Sequence, residues 1–187
     1  LGAFMETFKQ IDEQIKYIDS MIDQTILAVE DRDPKKILKP QKRPDRVFEF
    51  LEDMRKLFKS QFLKSGKTLI IKPVSSEWTF NVDRGMMYEI MQNLVANGIE
   101  HGGQRVELSV EKDDGYFSIH VRDDGRGVPK KKRESIFRPY HDLPEDVSRG
   151  HLRGRGLAGA RLLAEVHGGT LRYEHGSDPW RADFVLQ

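Results

Sequence analysis

Along most of the chain the apolar residues fall at one of two spacings, three-to-four or two, and each spacing predicts a kind of element. Phe4, Phe8, Ile11, Ile15, Ile18, Ile22, Thr25 and Val29 alternate steps of four and three, a heptad seam that predicts one long helix over residues 4–30. Glu13, Lys16, Asp19 and Asp23 occupy its other faces, and so narrow a seam points to self-association. "EDRDPKKILKPQKRPDR", residues 30–46, breaks the pattern with three prolines and many charges and reads as a connection. A second helix is predicted over about 45–64, with Val47, Phe50, Leu51, Met54, Leu57, Phe58 and Phe62 as its apolar face.

Short strands follow in "TLIIKPV" and "EWTFNV". "MMYEIMQNLVANGIEHGG" then returns to helical spacing, with Met87, Ile90, Met91, Leu94, Val95 and Ile99 on one side and a glycine pair at its end. "RVELSVEK" and "YFSIHVRD" alternate at period two and are joined at "DDG", a hairpin signal. A helix over about 157–167 and the strands "GTLRYEH" and "RADFVLQ" close the chain. The order α-β-β-α-β-β-loop-α-β-β predicts an α+β fold, a two-layer sandwich with helices on one face of a mixed sheet, preceded by the long helix.

Composition narrows the chemistry. The 187 residues suffice for one compact domain and an appendage. With 31 basic and 30 acidic residues the net charge is +1, so no global field draws the chain to nucleic acid or membrane. Cysteine is absent, which excludes disulfide, thiolate and zinc-thiolate chemistry. No apolar run approaches the roughly 20 residues of a membrane span, and no signal peptide is visible. The chain opens "LGAFMETF", without an initiator methionine, and reads as an excised fragment.

Four features can carry chemistry. Asn93 and Asn97 lie one turn apart and share a helix face. Their amide oxygens suit a hard cation such as Mg²⁺, the alternative being ordinary polar surface. "VRDDGRGVP" ends a strand in Asp123, which is either part of a turn or an acceptor for an exocyclic amine, with Gly125 and Gly127 allowing close approach of a flat ring. "HLRGRGLAGARLLAEVHGG" places glycines at the mouth of a helix, a ready phosphate site. Its Gly154-x-Gly156-x-x-Gly159 also fits a dinucleotide fingerprint with Glu174 beyond it, but "EDVSRGHLR" is no buried strand and too little chain follows. Between these loops, "KKKRESIFRPYHDLPEDVSRG" is long and charged, a solvated loop or a mobile cover with Arg138, Arg149, Arg153 and Arg155 as phosphate partners.

In this order the motifs resemble those of the catalytic, ATP-binding domain of sensor histidine kinases, within the Bergerat-fold ATPases. "NLVANGIEHGG" is similar to the asparagine box, "DDGRGVP" to the first glycine box, "SIFRPY" to the phenylalanine box and "GRGLAGARLLAEVHGG" to the second glycine box. The resemblance covers roughly residues 35–187. It implies residues 1–31 as the second helix of a dimerisation and histidine-phosphotransfer hairpin, 32–44 as a linker and 45–187 as the catalytic domain. It implies ATP and Mg²⁺ as cofactors, with Asn97 on the metal, Asn93 beside it and Asp123 reading adenine. Gly125, Gly127, Gly154, Gly156, Leu157, His101, Arg138, Arg153 and Arg155 complete the implied ATP site.

The implied activity is transfer of the γ-phosphoryl group to a histidine upstream of this chain, for relay to a response-regulator aspartate. No catalytic residue is then expected in the chain itself. His141, in "YHDLPEDV", superficially matches a phosphoacceptor motif, but Pro144 argues against a continuing helix. Implied partners are a second copy through residues 4–30 and a receiver domain, with no nucleic acid or membrane contact, in the cytoplasm. Hydrolysing relatives carry a glutamate base where Asn93 stands, and asparagine cannot take a proton from water. The chain departs from the family pattern at Gly98, Glu100 and Leu152. Gly98 weakens its helix by up to about 1 kcal/mol, while Glu100 and Leu152 carry the alternative, a degenerate kinase-like module that dimerises and binds nucleotide without phosphotransfer.

Overall fold

The computed structural model describes residues 38–138 and 156–187. The seam over 4–30, Arg149, Arg153, Gly154, Arg155 and His141 lie outside the described residues.

Strand β1, Arg43–Arg46, opens the described body and pairs antiparallel with β3, Thr79–Val82, as a two-stranded ribbon. The charged, proline-marked stretch read as a connection therefore ends in a strand, and the following helix starts at Val47 rather than near 45. A four-residue edge strand carrying Pro44 and three charged residues has no apolar alternation to announce it. Helix α1, Val47–Ser65, buries Val47, Phe50, Leu51, Met54, Phe58 and Phe62 and ends at Gly66, which takes φ 68°. Helix α2, Arg84–His101, starts at Asp83, whose Oδ1 accepts the Met86 N–H at 3.1 Å. Arg84 fastens that end, donating to Asp45 and Asp53 at 2.5 Å each and to the Tyr88 hydroxyl at 2.9 Å.

The main sheet has the order β2-β4-β5-β7-β6, formed by Thr68–Ile71, Arg105–Asp113, Tyr116–Asp123, Ala182–Leu186 and Leu171–His175. β2 runs parallel to β4 and the remaining pairs are antiparallel, so the sheet is mixed as expected. β4 and β5 turn through Asp114 and Gly115, both at positive φ (41° and 87°), as a two-residue hairpin requires. Helix α3, Gly156–Val166, packs on α2.

Period two sorts the sheet's faces. Val106, Leu108, Val110, Ile119, Val121, Ala182, Phe184 and Leu186 join the residues of α1 and α2 in one core. The opposite face carries Glu107, Ser109, His120, Arg122 and Asp183. Arg122 Nε donates to Asp183 at 2.9 Å, and its Nη1 lies 3.4 Å from Glu107. His120 Nδ1 lies 3.0 Å from Asp183. Glu107 and Asp183 are 3% and 6% exposed, burial that carboxylates tolerate only when paired in this way.

Candidate functional site

β5 alternates Phe117, Ile119 and Val121 toward the helices, and the next residue in that register is Asp123. A carboxylate thus stands where the apolar stripe would continue, opposite Val106 and 7% exposed. Its Oδ1 accepts the Gly125 N–H at 2.9 Å. Burial pushes the Asp123 carboxyl above the usual aspartate range, and the charge of Asp124 adds to this. The Gly125 N–H, Lys67 and His101 work in the opposite direction. A group held this way, at the end of a strand, is a functional candidate on physical grounds.

The surrounding backbone is crowded. A β-carbon at Gly125 would lie 2.8 Å from Asp123 Oδ1, from Gly102 Cα and from the His101 carbonyl oxygen. Gly102 and Gly103, which end α2, stand equally close to the side chains of Asp123 and Asp124. Gly127 takes φ 68°, and a β-carbon there would meet the Arg181 carbonyl at 2.7 Å. The loop after it is pinned by Tyr173, whose hydroxyl accepts the Val128 N–H at 2.9 Å. Asp124 accepts from Arg105 N and Nε, both at 2.8 Å, and the Arg105 guanidinium lies over Trp180 at 5.4 Å.

Asn93, Asn97 and His101 follow one another at single turns along α2, the two asparagines half-buried and His101 exposed. Asn93 Nδ2 donates to the Glu89 carbonyl at 3.0 Å, which turns its Oδ1 toward α3. A β-carbon at Gly156, the first residue of α3, would approach that oxygen to 2.9 Å. The asparagine face and the N-terminal end of α3 are therefore neighbours. That end of an eleven-residue helix presents backbone N–H groups and the positive pole of its dipole. Leu157 beside it packs on the core. Arg138 is exposed at the end of the "SIF" turn, where Ile136 is buried and Phe137 sits edge-on to Phe184 at 6.4 Å.

Gly98, where the resembled family commonly has alanine, is buried with Val106 Cγ2 only 2.8 Å from where a β-carbon would sit. Close approach of α2 to β4 at this point requires glycine. Glu100 lies exposed in the last turn of α2.

Sequence reasoning missed Lys67, Tyr173 and Arg105, which brace the glycine loop and the end of α2 from distant segments, and Asp124, which Arg105 engages. Only Asp124, inside "DDGRGVP", left a local signal.

Residues of this kind fit an adenine nucleotide: a buried acceptor, a close-packed glycine backbone and a helix N-terminus beside the Asn93 amide oxygen. Among the described residues no group of three or more His, Cys, Asp or Glu could hold a metal ion. Any cation here would depend on amide oxygens and on a ligand's own phosphates. Among the described residues no helix is long and apolar enough to cross a membrane.

Comparison with known proteins agrees. The family model of histidine kinase-, DNA gyrase B- and HSP90-like ATPases matches residues 82–185. The signal transduction histidine-protein kinase AfsQ2 of Streptomyces coelicolor is 34% identical over 86 residues, covering 46% of this chain and 16% of that protein. The sensor histidine kinase CpxA of Escherichia coli is 23% identical over 168 residues, covering 89% of this chain and 36% of that protein. This chain thus spans well under half the length of these relatives. The solved structure of histidine kinase ThkA in complex with the response regulator protein TrrA is similar at TM-score 0.68 and 18% identity. That likeness, one of fold, covers 94% of this chain and 48% of the solved one. The chain belongs to the histidine kinase-, DNA gyrase B- and HSP90-like ATPase family.

Proposed function

We propose that this chain is the ATP-binding domain of a sensor histidine kinase and that it donates the γ-phosphoryl group to a histidine on an upstream helical hairpin. The observation that carries the reading is Asp123, a buried carboxylate at the end of an apolar strand face, beside a close-packed glycine loop. In this reading Asp123 accepts a hydrogen bond from the adenine amino group, and Gly125 and Gly127 keep the loop close to the base. Asn97 would hold Mg²⁺ through its amide oxygen, with Asn93 beside it, and the start of α3, Gly156 and Leu157, would receive phosphate oxygens. Gly154, Arg153, Arg155, Arg138 and His101 complete the phosphate and ribose side. When bound, ATP supplies the phosphoryl group and Mg²⁺ neutralises the charge on it. The chain's own contribution is orientation and electrostatics, which suffices for phosphoryl transfer.

Asn93 bears on the reaction type. An amide takes no proton from water, so the site lacks the general base that hydrolysis at this position would need. The reading favours a nucleophile supplied from outside the domain. Sensor kinases named among its relatives, and the ThkA complex with a response regulator, support onward transfer to a receiver-domain aspartate. A homodimer through residues 4–30 and a cytoplasmic setting belong to the same proposal.

The test is to join a histidine-bearing hairpin helix upstream of residue 1 and supply ATP labelled at the γ-phosphate. Acid-labile, base-stable label on protein, absent in Asn97→Ala, is the expected result. Firm nucleotide binding without any such label would overturn the kinase reading.

A further inference from the structure

Helices α1 and α2 end in different ways. α1 closes on Gly66 in the left-handed conformation, which lets the chain fold back over its last carbonyls. α2 ends on Gly102 at φ −71° and ψ 172°, an extended geometry that leaves its last carbonyl oxygens without that device. The donor comes from elsewhere: Lys67 Nζ donates to the Ile99 carbonyl at 2.5 Å and to the Gly102 carbonyl at 2.9 Å. Lys67 can do this because it is held on both sides. Gly66 makes the turn before it, and Thr68 after it is tied to the connection between α2 and β4, donating to the Gln104 carbonyl at 2.9 Å.

The backbone that Lys67 grips is the one packed on Asp123. A β-carbon at Gly102 would lie 2.9 Å from Asp123 Cβ and 3.2 Å from its Cγ. Any drift of Gly102 therefore moves either that carboxylate or the Gly125 loop wedged against both. We propose that Lys67 is a positioning residue for nucleotide recognition, clamping the end of α2 so that the Gly102 backbone holds the Asp123 carboxylate in place for the adenine base. This rests on the ATP reading given above.

Charge supports the same role. The groups facing Asp123 are Lys67 before β2, His101 on α2, and Asp124 after β5, the last engaged by Arg105 of β4. Lys67 and His101 pull the carboxyl down, against burial and Asp124. Removing the Lys67 ammonium leaves Asp123 easier to protonate, and a protonated carboxyl presents a donor where the base needs an acceptor.

The experiment titrates the full chain with ADP and with a non-hydrolysable ATP analogue, each across a pH series. Unaltered chain, Lys67→Met, Lys67→Gln and Lys67→Arg are compared, and circular dichroism follows their folding. Lys67→Met is expected to bind both nucleotides on the order of 10-fold more weakly, the scale of a lost charged hydrogen bond. The loss is equal for the two ligands because Lys67 acts at the base end. The acid limb of its binding curve moves to higher pH, while Lys67→Arg, which still carries charge and donors, stays near the unaltered chain. Lys67→Gln keeps a donor without charge, so it moves the acid limb even if Lys67→Met fails to fold. Unchanged affinity with an unmoved acid limb in folded Lys67→Met or Lys67→Gln overturns this inference alone, as does a loss of affinity with no movement of that limb. Failure of the unaltered chain to bind either nucleotide overturns the ATP reading, and this inference with it.

Discussion

Gly98→Ala is an informative perturbation because two local rules give opposite signs. In an exposed helix interior the change stabilises by about 1 kcal/mol, since glycine carries the larger conformational entropy. Here the new β-carbon would stand 2.8 Å from Val106 Cγ2 and 3.3 Å from Cγ1, on a valine with no exposed surface. Overpacking of that kind costs about 1–3 kcal/mol, so the net expectation is a loss of up to about 2 kcal/mol. Val106→Ala removes both γ-carbons and leaves only Val106 Cβ, 3.7 Å from the new atom, in ordinary contact. In that background Gly98→Ala should stabilise, by about 1 kcal/mol. Urea unfolding of the four proteins in the cycle yields a coupling energy of at least about 1 kcal/mol. Gly98→Ala that stabilises equally in both backgrounds would refute the packing of α2 on β4, and with it the placement of Asn97.

Asp83→Ala removes the α2 cap and the acceptor for the Gln41 N–H at 2.7 Å, and should cost about 1–2 kcal/mol in urea unfolding. His167 Nε2 accepts the Asp83 N–H at 2.9 Å, and burial, with Lys42 nearby, holds its pKa below the ordinary 6.5. A lowered folded pKa means the unfolded chain takes the proton first, so this contribution is complete above pH 6.5 and is lost as pH falls. His167→Gln should flatten that part of the stability profile. Arg122→Met leaves Glu107 and Asp183 buried with Lys72 and His120 as their remaining ionic partners among the described residues, and should cost about 3 kcal/mol at neutral pH. Against the upward push of burial, His120 and Arg122 hold the Asp183 carboxyl below the usual range, so its contribution is complete above pH 3.8 and is lost only as pH falls below that value.

Where elements are written in local spacing, the sequence shows them. The apolar face of α1, the "DDG" turn between β4 and β5 and the alternation ending at Asp123 all carry their own period. The same alternation shows that Asp123 is anomalous, because a period-two strand puts it on the apolar side. β1 was hidden because a short edge strand needs no apolar face and gains its pairing from β3, some 35 residues away. The brace of Lys67 was hidden for a similar reason, its acceptors lying 32 and 35 residues further along the chain. Gly98 looked like a weakened helix until its neighbour across the layer, Val106, was in place. On the open sheet face His120, Arg122 and Asp183 look like ordinary solvated alternation, and only the β5–β7 register makes them one buried network.

The role proposed for Asp123 is to read adenine in a site completed by magnesium and phosphate. Calorimetric titration of the chain with a non-hydrolysable ATP analogue, with and without Mg²⁺, beside Asp123→Asn tests it most directly. Saturable binding that Mg²⁺ strengthens and Asp123→Asn loses is the expected result. The raised pKa of Asp123 places its acid limb above the range of an ordinary aspartate. No binding at millimolar nucleotide, or equal binding by Asp123→Asn, would contradict it.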